Sequence, residues 1–209
     1  MRYQYTSAGF QTNNTNPVNI TKGVKLLILT NVIIFFIIEI SGQRDLFLMN
    51  FGLVPLTILN DFKIWQIFTY MFLHGGILHI LFNMVILWIF GKDLELSWGK
   101  NNFLYFYFIC GIGSGFITFL FNMHSFIPVV GASGAIYGLL VAYGFSYPNR
   151  IIYLYGVFPL RVKYLILGLG FIAFFASIST STSNISHLTH LAGMIIGAGY
   201  IIIKHNYNF

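Results

Sequence analysis

Six apolar segments, at residues 24–40, 77–90, 103–121, 129–147, 164–178 and 188–203, constrain this chain more than any other feature. A membrane-crossing helix needs about 20 apolar residues, within a range of roughly 17–25. Several of these segments reach that length only when flanking Gly, Ser and aromatic residues are counted. Charged residues make up 8% of the 209 and hydrophobic ones 57%, whereas soluble domains carry roughly a quarter charged residues. The expectation is an all-α membrane protein with six short spans in one compact bundle. No stretch outside the spans could build its own core, and neither a second domain nor an internal repeat is visible.

The division expected is a polar cytoplasmic tail over residues 1–22, a six-span domain over 23–205 and a C-terminal tail over 206–209. A cleaved signal peptide is not expected, because the Asn/Thr-rich tail delays the first apolar run and no small-x-small site follows it. Cys110 reads as a small packing residue.

The net charge of +6 reads as topology, not as affinity for nucleic acid, since Lys and Arg collect in cytoplasmic loops. With the amino terminus inside, Arg2, Lys22, Lys25, Lys92, Lys100, Arg150, Arg161, Lys163 and Lys204 are cytoplasmic, and only Arg44 and Lys63 fall outside. Both termini are then cytoplasmic, and spans two, four and six enter from the outer side. The first outer loop, 41–76, carries "FGLVPLTIL" and "FKIWQIFTYMFLH", with Trp65 and Tyr70 as amphipathic anchors. Such a segment should lie half submerged in the outer interface; Asp61 and Lys63 argue against a seventh span. "YPNRIIYLYGVFPLRVK" reads as a cytoplasmic interfacial loop, and "SISTSTSNIS", residues 177–186, as a mobile outer loop.

Polar side chains in hydrocarbon cost free energy and need a reason. His79 and Asn83 near the start of span two, Ser133 in span four, and His187 and His190 in span six all lie toward the outer ends. At 1.5 Å rise per residue, Asn83, Ser133 and His190 fall within roughly 5–12 Å of those ends. Each alone has a plain reading. A Ser among glycines ("GASGAIYG") permits helix contact, Gly134 and Gly138 form a small-xxx-small pair, and Asn or His can bond across helices.

Together they suggest more. A serine's base must come within about 2.6–3.2 Å, so the helices bearing Ser133 and His190 must nearly touch. Gly131, Gly134 and Gly138 around the serine, and Gly193 and Gly197 on the histidine's face, supply that closeness. His79 and Asn83, at i and i+4, share a face and could donate hydrogen bonds to a developing oxyanion. Tyr137, one turn after Ser133, could lie against His190. No acid is available for a triad: Asp93 and Glu95 are on the other side, and Glu39, Asp45 and Asp61 precede span two. The expectation is a Ser133–His190 dyad working through an acyl-enzyme, with activity falling in acid as the imidazole takes a proton.

"HGGILHILFNM", "GASGAIYG" and "HLTHLAGMIIG", in that order, resemble the signature regions of the rhomboid family of intramembrane serine proteases. The resemblance covers nearly the whole chain, including the six-span layout and the submerged first loop. It implies Ser133 as nucleophile, His190 as general base, His79 and Asn83 as oxyanion donors, Tyr137 stacked on the histidine, and His74 as a recurrent first-loop His. It also implies a bacterial inner-membrane enzyme whose site opens outward and which needs no metal or cofactor. Single-span membrane proteins would be cut beside a small residue, after lateral access between spans two and five. One departure stands out: the family often has Trp-Arg in the first loop, and this chain has Trp65-Gln66, which puts an Arg-mediated anchoring of that loop in doubt. Two other readings are a metal transporter or metalloenzyme built on His74, His79, His187 and His190, and a non-catalytic rhomboid-like binder of membrane helices. The oligomeric state is not legible.

Overall fold

The computed structural model describes residues 19–154, 157–178 and 184–207. The expected polar tail through residue 18, the centre of the Ser/Thr loop (179–183) and the last two residues lie outside them.

The chain begins with α1 (Lys22–Ser41). The first loop then folds as three short helices, α2 (Arg44–Phe51), α3 (Pro55–Asp61) and α4 (Gln66–Thr69), ending in a 3₁₀ turn at Tyr70–Phe72. Next, α5 (Ile77–Ile86) runs through a π-helical turn into α6 (Lys92–Trp98), so that 77–98 is one rod. Gly99, at φ +79, occupies backbone space that side chains disfavour and reverses the chain into α7 (Lys100–Phe121). The order closes with α8 (Ser133–Ser146), β1 (Ile151–Leu154), β2 (Phe158–Arg161), α9 (Val162–Ser177) and α10 (Asn184–Tyr207).

Four helical rods, Lys22–Ser41, Ile77–Trp98, Lys100–Phe121 and Ser186–Lys204, are long and apolar enough to cross a membrane; α8 and α9 are apolar but shorter. Their exteriors are correspondingly oily. Leu26, Ile33 and Phe36 on α1 and Leu167 and Phe171 on α9 are exposed, as suits surfaces facing lipid instead of water. The core sits where α7, α8 and α10 meet, around Phe103, Phe106, Tyr107, Ala135 and Leu139. By contrast, α9 buries only Val162 and Ala173 and packs at the edge, against α10 and α8.

The segment read as an interfacial loop after span four is a two-stranded antiparallel hairpin, pairing Ile151 with Arg161 and Leu154 with Phe158. Its base is pinned by Asp93, whose Oδ2 accepts from Arg150 Nη1 at 2.6 Å and from the Tyr143 hydroxyl at 2.9 Å.

Gln66 answers the doubt left by the missing arginine. It is fully buried. Its Oε1 accepts from the Val54 N–H at 3.0 Å and the Thr57 hydroxyl at 3.1 Å, while its Nε2 donates to the Met49 carbonyl at 3.0 Å. A neutral amide thus ties the first loop to itself. The loop in turn holds the segment before α8: Leu53 and Val129 exchange both backbone hydrogen bonds at 2.9 Å. Gln66→Ala would leave a buried donor and a buried acceptor unpaired, at about 1–3 kcal/mol each. The expected result is a lower unfolding temperature in detergent micelles; unchanged melting would show that the loop is held by other means.

Candidate active site

Ser133 is the first residue of α8, not a residue further along it. A helix of 14 residues is about 21 Å long, shorter than the roughly 30 Å hydrocarbon core. Helix starts also leave N–H groups without intrahelical partners, so backbone donors cluster beside the Ser133 hydroxyl.

The chain reaches Ser133 through Gly131, at φ +120, whose N–H donates to the Tyr70 carbonyl at 2.9 Å. A Cβ at Gly131 would stand 2.8 Å from His79 Nε2 and 3.7 Å from Asn83 Nδ2. Glycine is therefore required twice over, by its backbone angle and by the two side chains pressed against it. Those side chains come from one face of α5, as their spacing implied.

His190 Nε2 and Ser133 Oγ are 2.8 Å apart. The Tyr137 ring stacks on the His190 imidazole, centroids 4.3 Å apart and planes within 5° of parallel. His187 meets His190 edge-on at 6.1 Å. None of the five side-chain carboxylates bonds His190: Glu39 faces Arg44, Asp45 sits in the first turn of α2, Asp61 faces Lys63, Asp93 holds Arg150, and Glu95 binds the start of α1. The imidazole is oriented by ring packing.

The glycines make this meeting possible. A Cβ on Gly193 would run into the Gly134 carbonyl oxygen, and one on Gly197 would lie 2.8 Å from Gly138 Cα. Helices α8 and α10 are thus in backbone contact at two successive turns beyond the dyad. Beside them, the Thr118 and Thr189 hydroxyls pair at 2.8 Å between α7 and α10. The Tyr70 hydroxyl donates to the Gly111 carbonyl at 2.7 Å.

One contact was not legible in the side-chain pattern. The Gly75 N–H donates to His79 Nδ1 at 3.2 Å. With Nδ1 accepting, the proton of a neutral ring sits on Nε2, the nitrogen beside Gly131. Arg44 reaches the same glycine, donating to its carbonyl while pairing with Glu39 at 3.0 Å. Asn83 Nδ2 is buried and has no partner among the described residues. His74 is buried with its ring edge-on to His79 at 5.2 Å; burial first, and then its neighbour His79, push its imidazole down to about 3. Among the described residues no three His, Cys, Asp or Glu side chains gather to hold a metal ion.

Residues 61–207 match the family model of the Rhomboid domain. The chain belongs to the rhomboid family. It is 31% identical over 175 residues to rhomboid protease GluP of Bacillus subtilis, covering 82% of this chain and 32% of that one. It is 26% identical over 209 residues to rhomboid protease AarA of Providencia stuartii, covering 86% and 72%. It is 29% identical over 167 residues to rhomboid protease GlpG of Yersinia pestis, covering 79% and 56%. The chain therefore spans about a third of the length of GluP and just over half that of GlpG. Family and apolar helices together make this rhomboid an integral membrane protein with a helical-bundle fold.

Proposed function

We propose that this rhomboid is an intramembrane serine endopeptidase in which Ser133 attacks the peptide carbonyl and His190 takes its proton, later returning it to the leaving amine. The 2.8 Å separation of Oγ and Nε2 carries this reading. It lies within the reach that a base needs to activate a hydroxyl. A binder that only holds helices would have no use for this pair. The oxyanion formed on attack would be met by His79 Nε2–H, the Asn83 amide and the N–H groups at the start of α8. An amide buried without a partner suits a donor kept for a transient charge.

The substrates proposed are single-span membrane proteins cut beside a small residue, where a locally unwound helix frees the carbonyl from its own hydrogen bonds. They would reach the dyad laterally between α5 and the thinly packed α9. The six apolar segments of 23–205 are read as six spans, α8 and α9 being the short ones. The sequence's split of cations, nine of eleven in the segments assigned inside, supports cytoplasmic termini and an outward-facing site, in a bacterial inner membrane.

Labelling by a fluorophosphonate or isocoumarin, followed by mapping of the modified residue, tests the assignment. Modification of Ser133 is expected; modification elsewhere, or none, overturns it. Asn83→Ala should lower kcat by about 10²–10³-fold, the cost of losing one oxyanion donor, with KM little changed. A rise in KM at constant kcat would instead assign Asn83 to substrate binding.

A further inference from the structure

Gly75 and Gly76 stand in succession where the first loop enters α5. Glycine leaves the backbone freer than any other residue, so this is a loose way into the helix that carries His79 and Asn83. The Gly75 N–H nevertheless meets His79 Nδ1 at 3.2 Å, and the proton on Nε2 depends on that contact. The N–H belongs to the peptide before the Gly75 Cα, and the carbonyl to the peptide after it. Burial of His74 holds the first of these. What holds the second decides whether the N–H can swing off the ring.

Arg44 holds it, from 31 residues earlier in the chain. Its Nη2 donates to the Gly75 carbonyl, and its Nη1 donates to Glu39 Oε1 at 3.0 Å. The planar guanidinium suits two acceptors in fixed directions, and Glu39, in the last turn of α1, aims the fork. The end of α1, the start of α2 and the entry to α5 are thereby tied at one point. Other reasons for a cation here are weak. Arg44 is the first residue of α2, where the helix dipole disfavours positive charge. The positive-inside rule disfavours it on the outer side, and an exposed ion pair adds little to stability. Lys63, the other cation read as outer, donates to Asn50 and faces Asp61 instead.

We propose that Arg44 is a positioning residue for the oxyanion donors. It fixes the Gly75 peptide, and the fixed N–H keeps the His79 ring in the Nε2–H form, with Nε2 against Gly131, two residues before Ser133. This role rests on the proposed part of His79 in meeting the oxyanion. A donor aimed in advance is worth more than one recruited during the attack. Arg44 thus governs the rate through a tautomer, while its own bonds go to Glu39 and Gly75.

The test puts ¹⁵N-labelled histidine into the full chain, in detergent micelles at neutral pH without substrate, and reads the protonation of each ring nitrogen by NMR. Among the six histidines, the His79 signals are those missing from H79A. Wild-type His79 should carry its proton on Nε2 and leave Nδ1 bare. R44A should move both signals toward the average of the two tautomers. E39Q, which keeps an acceptor for the guanidinium, and K63A, which removes the other outer cation, should leave them in place. R44K, with a donor but no fork, should fall between. Wild-type signals in R44A, or an equal change in K63A, would overturn the proposal. If R44A does not fold, R44K carries the test, and no change there counts against Arg44. In cleavage assays R44A should lower kcat by about tenfold at constant KM, short of the roughly 10²–10³-fold for losing an oxyanion donor outright. It should add nothing in an H79A background and leave the unfolding temperature unchanged. Additive losses, or a fall in kcat matched by a fall in melting, would make Arg44 merely structural and overturn its positioning role. The NMR result needs no turnover, so failure here is distinguishable from failure of the protease reading.

Discussion

Ser133→Ala is expected to abolish peptide-bond cleavage, by about 10⁴-fold or more, while leaving the bundle folded. The hydroxyl's recorded partner is the His190 ring, and alanine suits the first turn of a helix. Little packing is lost. His190→Ala should remove cleavage equally, but with some loss of stability, because it also takes away the surface on which Tyr137 stacks. Since the two groups act as one unit, the double variant should be no slower than either single variant. The measurement is cleavage of a transmembrane peptide in proteoliposomes, paired with thermal unfolding of each variant. Undiminished turnover by a folded Ser133→Ala protein would remove the hydroxyl from the mechanism. Retained turnover in His190→Ala alone would mean that another group accepts the proton.

The sequence exposes this site because membrane burial makes polar residues conspicuous. In an apolar chain, His79, Asn83, Ser133 and His190 stand out, and the helical rise puts them at one depth. The apolar runs are equally visible, and each corresponds to a helix. What stays hidden is whatever runs through the backbone. Gln66 looks like a departure from a family pattern, yet two of its three partners are main-chain atoms of Val54 and Met49, 12 and 17 residues away. The Gly75 N–H that sets the His79 proton carries no side chain to read. The hairpin after α8 escapes for another reason. Its aromatic and basic residues suit an interfacial loop as well as a strand, and what pins its base is a carboxylate on α6, 57 residues before Arg150. The fourth helix starts later than its apolar run: residues 129–132 are apolar enough for a helix, but Val129 pairs with Leu53 and Gly131 turns the chain. Helix α8 consequently begins on the serine itself.

Gly193→Val should abolish cleavage without touching either dyad residue. A side chain at 193 points at the Gly134 carbonyl oxygen, a backbone atom that no rotamer change can move aside. Relief requires α10 to withdraw from α8. Because Gly134 follows Ser133 directly and Gly193 lies one turn after His190, the withdrawal falls on the dyad. A hydrogen bond of 2.8 Å weakens steeply when stretched by an ångström, and a base beyond reach of its hydroxyl cannot take the proton. Overpacking of this kind costs about 1–3 kcal/mol in well-packed cores. The expected signature is therefore a lowered unfolding temperature together with loss of both turnover and probe labelling at Ser133. Gly199→Ala is the matched control on the same helix: nothing lies within 4 Å of a Cβ there, and alanine is favoured over glycine in a helix. It should fold and cleave at least as well as the parent chain. Wild-type labelling and melting in Gly193→Val would mean that α8 and α10 need not touch for the serine to meet its histidine.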